Sequence, residues 1–156
     1  MARLKRNRQM KSNQTAVVDS GYWFALLDET DPYHSKAQET EEMFLNIRHI
    51  FPWPILYETL CTRYTRRSLI IRKFEKFLKR PTAIILDDNK YKDKALDMTL
   101  SMSGRGWASK SLVDNVLRMI IDDANVRVNC IFTFNQRDFY DICVPRNVEI
   151  YPSEVP

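Results

Sequence analysis

The chain has 156 residues, a formal net charge of +4, 44% hydrophobic residues and only three glycines; these bounds describe one packed, helix-rich domain and exclude a disordered polypeptide. Its three cysteines, Cys61, Cys130 and Cys143, stand far apart without C-x-x-C spacing, which argues against a disulfide framework or a zinc site and fits a reducing cytoplasm. No apolar run approaches the length needed to cross a bilayer, and the basic opening leads into polar residues instead of the apolar region of a secretory signal.

Residues 1–15 read as a basic mobile arm carrying Arg3, Lys5, Arg6, Arg8 and Lys11, either a phosphate-seeking tail or a solvated terminus. The folded domain, 16–156, opens with the β-branched strand Ala16-Val17-Val18, followed by a short helical or turn segment from Tyr22 to Leu27. After the loop Asp28-Glu29-Thr30-Asp31, Pro32 fits a first helical turn, and His34 to Ile47 has the mixed pattern of a surface helix. Pro52 and Pro54 punctuate the chain before a helix from about Ile55 to Tyr64, where Leu56, Leu60 and Tyr64 recur at helical spacing.

Ser68 to Lys79 repeats that period and Pro81 stops it. Ala83 to Leu86 reads as a buried strand ending on Asp87-Asp88, a pair that suits a turn or helix start better than a rival carboxylate site. Helices follow from about Lys90 to Ser101 and from Lys110 to Ala124, separated by Gly104-Arg105-Gly106. Strands over Val128 to Phe134 and Val148 to Tyr151 close the chain. Strands alternating with helices imply crossover connections. The predicted architecture is α/β, with a mainly parallel sheet of about four or five strands between helical layers and ligands collecting at the strands' carboxyl ends.

Oxygen-bearing side chains sit where such a sheet would present them. Asp19 ends the first strand, Glu58 follows Ile55-Leu56-Tyr57, Asp114 lies on the helix after Lys110, and Asn135 ends the strongest late strand. Carboxylates spread through the sequence yet placed at element ends are what a divalent cation needs from a protein. Each also has a structural alternative. Asp19 is suited to cap the following helix, Glu58 to solvation, and Asp114 to a local Ser111-x-x-Asp114 cap. Asp114 also continues the ridge of Leu117, Ile121 and Ala124, where an unpaired charge would be costly and a cation would offset it. Arg63, Arg66, Arg67, Arg72, Lys73, Lys76, Lys79 and Arg80 crowd one stretch that contains a single acid, Glu75. They form either a phosphate-tracking surface or a solvated helical face. Other chemistries fit less well. The two histidines, His34 and His49, come from one neighbourhood, no phosphate-binding glycine loop is present, and Gly21 stands where an aspartyl-phosphate phosphatase would place its second Asp.

Taken in order, Val17-Val18-Asp19-Ser20, Phe24-Ala25-Leu26-Leu27-Asp28 and Asp31-Pro32-Tyr33-His34 resemble the opening of the PIN-domain nucleases. Ile55-Leu56-Tyr57-Glu58 resembles the second acidic position of that family, Ser111-Leu112-Val113-Asp114 the third, and Ile131-Phe132-Thr133-Phe134-Asn135-Gln136-Arg137-Asp138-Phe139 the closing strand. The resemblance spans about Ala16 to Tyr151 and implies Mg²⁺ or Mn²⁺ held by Asp19, Glu58 and Asp114, with Ser20 and Thr133 orienting ligands or water. It also implies hydrolysis of RNA held by Arg63, Arg66, Arg67, Arg72 and Lys73, a restraining antitoxin protein, and self-association through aromatic residues among Trp23, Phe24, Trp53 and Tyr57. Where many relatives carry a fourth acid this chain has Asn135, with Asp138 three residues later. A module that binds RNA or protein with little catalysis is the alternative.

Overall fold

Apolar β-branched runs and amphipathic segments alternate along residues 13–153, the part of the chain that the computed structural model describes. The basic stretch read as an arm lies outside the described residues up to position 12, and Thr15 already belongs to the first strand. In order the elements are β1 (Thr15–Val18), α1 (Ser20–Leu27), α2 (His34–Gln38), α3 (Glu41–Leu45), β2 (Arg48–Pro52), α4 (Trp53–Thr59), α5 (Thr62–Thr65) and α6 (Ser68–Leu78). There follow β3 (Ala83–Leu86), α7 (Lys92–Met102), α8 (Leu112–Asp122), β4 (Cys130–Phe132), α9 (Tyr140–Cys143) and β5 (Glu149–Tyr151).

The five strands form one sheet in the order β3-β2-β1-β4-β5, and every pairing is parallel. Register sets Val17 opposite Ile50 on one side and Ile131 on the other. The steps from β1 to β2 to β3 run toward one edge, and those from β3 to β4 to β5 run back toward the other. Right-handed crossovers, the near-universal hand, put the two sets of connections on opposite faces. The order reverses between β1 and β4. Their carboxyl ends splay there and leave a crevice.

Aromatic packing around α1 holds one helical layer to the sheet. Trp23, fully buried, stacks on Phe51 at 5.2 Å and meets Phe44, Phe74 and Phe77 edge-on, while Tyr22 contacts Phe44 and Phe132. Large rings bury much area and prefer such tilted contacts, so this cluster carries a large share of the domain's hydrophobic stabilisation. α8 has an apolar stripe of Val116, Leu117, Ile120 and Ile121, all buried, and packs beside α7.

Four expectations are corrected. Arg48–Pro52 is a strand, which the two prolines and its charged start concealed. The predicted helix from His34 to Ile47 is two short helices. Thr40 donates its hydroxyl hydrogen to the carbonyl of Ala37 at 3.1 Å and meets the Tyr22 hydroxyl at 2.8 Å, drawing the backbone out of the helical ladder; Pro32 lies in the turn before α2, outside it. The predicted helix from Ile55 to Tyr64 begins earlier, at Trp53, and breaks between α4 and α5, leaving Leu60 outside the helix and exposed. β3 is an edge strand, not a buried one, with Ile85 56% exposed.

Candidate active site at the carboxyl edge of the sheet

Asp19 follows β1 at the point of strand-order reversal. Its amide donates to the carbonyl of Phe132 at 2.9 Å, and its own carbonyl accepts the amides of Tyr22 and Trp23 in the first turn of α1. It therefore holds the N-cap position, yet its side chain caps nothing. The carboxyl turns across the crevice to β4, where the Thr133 hydroxyl donates to Oδ2 at 2.8 Å. Thr133 is itself fixed: its amide donates to the Tyr151 carbonyl at 2.9 Å, and its hydroxyl oxygen accepts the Asn135 amide at 3.0 Å.

Glu58 arrives from α4, whose start is set by Pro54 in the first turn. It sits in the last turn of that helix, and its Oε2 accepts the Ser20 hydroxyl at 2.7 Å. Asp114 opens α8 in a full capping box. Its amide donates to Ser111 Oγ at 3.0 Å, and its Oδ2 accepts both the Ser111 hydroxyl at 2.7 Å and the Ser111 amide at 3.3 Å. The local cap and the placement at the site are thus compatible, because a carboxylate has lone pairs beyond those the cap uses.

Electrostatics join the three. Water reaches part of Asp19, but protein surrounds most of it, and burial pushes its carboxyl up to about 6. The Thr133 hydrogen bond pulls down, and the negative charges of Asp114 and then Glu58 push up again. Two carboxylates from separate elements are therefore close enough for Asp19 to feel them. Among the described residues no three His, Cys, Asp or Glu side chains gather closely enough to ligate one ion directly. Each of the three carboxylates is instead seated on a hydroxyl. The all-oxygen, acidic donor set suits a hard divalent cation that keeps part of its water shell.

Asn135 and Asp138 are brought together on the turn after β4. The Asn135 amide nitrogen donates to Asp138 Oδ2, and Lys110, only 12% exposed at its side chain, lies 3.2 Å from Asp138 Oδ1. Arg118 donates to the Asp138 carbonyl at 2.5 Å and clasps Asp141 with both terminal nitrogens at 2.6 and 2.7 Å. Lys110 and Arg118 escaped the sequence reading because attention falls on clustered basic residues, and these are single cations preceding or within a helix. Their one visible signal is proximity to Ser111 and Asp114.

The basic run lies elsewhere. Arg67 clasps Asp28 through both terminal nitrogens, one at 3.0 Å, and Lys73 lies 3.6 Å from Glu29. Both acids follow α1, whose eight residues carry the chain roughly 12 Å along the axis from Ser20. Arg63 lies over the Tyr64 ring at 5.4 Å, while Arg66 and Arg72 are exposed. The histidines are committed to the backbone. His34 Nδ1 meets the Ala25 carbonyl at 2.6 Å, and His49, fully buried among aromatic rings, meets the Phe44 carbonyl at 2.9 Å. Asp87 accepts the amide of Asn89, so the Asp87-Asp88 pair makes a turn. Of the four aromatics proposed for self-association, Trp23 is core and Phe24 stacks on Tyr64 at 4.2 Å, leaving Trp53 and Tyr57 exposed.

No protein-family model matches the chain, and no curated protein matches it. Among solved structures it is similar to VapC20 of Mycobacterium tuberculosis, described as a sarcin-ricin loop cleaving toxin. The TM-score is 0.62 at 16% identity, and the match covers 81% of this chain and 93% of that one. With its wholly parallel sheet between helical layers and a strand-end Asp at the reversal of strand order, the chain has the PIN-domain fold.

Proposed function

We propose that this protein is an endoribonuclease that hydrolyses RNA phosphodiester bonds with Mg²⁺ or Mn²⁺ held by Asp19, Glu58 and Asp114. One observation carries the reading: a largely enclosed carboxylate at the strand-order reversal feels two further carboxylates from separate elements, and such a cluster invites a compensating cation. A bound divalent ion supplies Lewis-acid charge for the phosphoryl oxygens and acidifies a water. The chain's own groups position. The Thr133 and Ser20 hydroxyls hold Asp19 and Glu58 in fixed orientations, and the Asn135 carbonyl oxygen remains available to a water or ligand once its nitrogen serves Asp138. Exposed Arg63, Arg66 and Arg72 supply phosphate contacts at a distance from the centre, with Arg67 and Lys73 shaping that surface through their acidic partners.

Likeness in fold to a toxin that cleaves the sarcin-ricin loop favours RNA as substrate, and a toxin restrained by an antitoxin protein as the biological setting. Three free cysteines accord with a cytoplasmic site of action, and among the described residues no helix is long and apolar enough to cross a membrane. A second reading, an RNA- or protein-binding module with little catalysis, is favoured by Asn135 standing where a fourth acid would add charge and by the pairing of Asp138 with Lys110.

The test incubates labelled RNA with the intact chain in Mn²⁺ and in chelator, alongside Asp19→Asn and Asp114→Asn. Cleavage is expected only with metal and is expected to fall about 100-fold or more in either variant. Cleavage that persists in chelator would overturn the metal mechanism, and salt-sensitive binding without cleavage would favour the module.

A further inference from the structure

Beside the acidic centre a column of three rings runs from the core to the surface. Tyr22, fully buried, stacks on Phe134 at 5.7 Å with an interplanar angle of 21°, and Phe134 stacks on Tyr33 at 4.6 Å and 21°. Exposure rises along the column, and Tyr33 at its end is 44% exposed. Phe134 directly follows Thr133, the residue that holds Asp19, so a single peptide link joins the column to the candidate site.

The outer ring is held although it is exposed. Its amide donates to Asp31 Oδ1 at 2.8 Å, and its carbonyl accepts the Ala37 amide at 2.9 Å. The inner ring is pinned by the Tyr22 hydroxyl at 2.8 Å from Thr40 Oγ1. A flat face presented on a rigid stack is already ordered before a ligand arrives, and stacking on such a face loses little conformational freedom. The other exposed aromatic pair, Trp53 and Tyr57 on α4, is tilted at 39° and 5.8 Å apart, with both members at the surface. Among the described residues no core ring supports it from behind.

We infer that Tyr33 is a stacking platform for an unpaired nucleobase of the substrate, flanking the phosphodiester held at Asp19. The inference rests on the ribonuclease reading for the identity of the ligand. It adds that the substrate enters with a base unstacked on the Phe134 side of the crevice. Every base has a π-face, so the platform favours single-stranded or looped RNA over a continuous duplex without choosing a sequence. Arg137, exposed three residues beyond Phe134 and without an ion-pair partner among the described residues, offers a cation to an adjoining phosphate.

The experiment measures binding, not turnover. Full-length Asp19→Asn protein is titrated with short single-stranded RNAs in which 2-aminopurine or an abasic nucleotide is moved one position at a time. Binding is expected to quench 2-aminopurine at one position, and an abasic nucleotide there is expected to weaken binding ~10-fold. Adding Tyr33→Ala should weaken binding to the unmodified RNA by the same factor, remove the quenching and abolish the abasic penalty, whereas Tyr33→Phe should preserve all three. Unchanged affinity in Tyr33→Ala, an abasic penalty that survives it, equal losses in Tyr33→Phe, or no RNA binding at all would overturn the platform. Cleavage is scored separately on protein with Asp19 intact. Tyr33-dependent stacking without metal-dependent cleavage would sink the nuclease reading alone, and cleavage with Tyr33-independent binding would sink the platform alone.

Discussion

Asp19 is held against its own preference. Ionised, it lies in a mostly enclosed crevice near two like charges, and the Thr133 hydroxyl and Ser20 amide compensate only in part, so its negative form weakens the folded state. In chelator, Asp19→Asn is expected to raise stability at pH 7 by about 2 kcal/mol, discounted for the part of the carboxyl that water reaches. The sign follows from linkage. Raised to about 6 from 3.8, Asp19 destabilises the fold fully above about 6, and the penalty shrinks as pH falls below 6 and is gone below 3.8. His49 works in the opposite direction. Burial lowers it to about 4 from 6.5, so its contribution is intact above 6.5 and is lost as pH falls toward 4. Thermal melts should therefore show the Asp19→Asn advantage shrinking between pH 7 and pH 5, with the variant declining more steeply than the parent on acidification. An advantage independent of pH would show that Asp19 is not under this strain.

At the level of elements, the tie between the end of α1 and the start of α6 is testable. Asp28 is only 2% exposed, accepts the amide and hydroxyl of Thr30 at 3.0 and 2.7 Å, and is clasped by Arg67, which holds its carboxyl down to about 2. Arg67→Ala leaves a buried carboxylate without its cation and is expected to cost about 1–3 kcal/mol, read as a lower urea midpoint with an unchanged slope. Arg66→Ala, at an exposed neighbour, should stay within about 0.5 kcal/mol. Equal effects would mean that the Arg67 pairing contributes nothing special. Much of this scale was legible in advance. The strands at Ala16, Ala83, Val128 and Val148 announce themselves as β-branched or aliphatic runs. Arg48–Pro52 does not, because a charged start, a buried histidine and a terminal proline defeat period-two reading, and its burial comes from rings supplied by α1 and α6. Thr40 broke the expected surface helix through a bond to Tyr22, a partner 18 residues away that local propensity cannot see.

Across the whole molecule, the reversal of strand order explains why polar groups so distant in sequence come together at one edge of the sheet. Asp19 and Thr133 are 114 residues apart, yet β1 and β4 are neighbours, and the crevice between their ends is where a parallel sheet opens. Asp19, Glu58 and Asp114 could be singled out as candidates because each sits at an element end. Lys110, Arg118 and the ring column were not, since their meaning comes only from what the topology sets beside them. Surface composition adds one expectation. Trp53 at 42% and Tyr57 at 71% exposure remain on the outside of a small domain, a pattern that suits association with a second copy. Sedimentation at rising concentration should show a dimer that Tyr57→Ala weakens, and a monomer throughout would refute self-association through this face.

Thr133 has a further consequence, because its amide reaches Tyr151 while its hydroxyl serves Asp19. The strand β5 is thereby a buttress for a carboxylate encoded at the other end of the chain. Any event that peels β5 from its neighbour, whether a shortened tail or a partner that captures it, would swing that hydroxyl away from its carboxylate. On the nuclease reading, cleavage would be lost while the remaining four strands kept their shape.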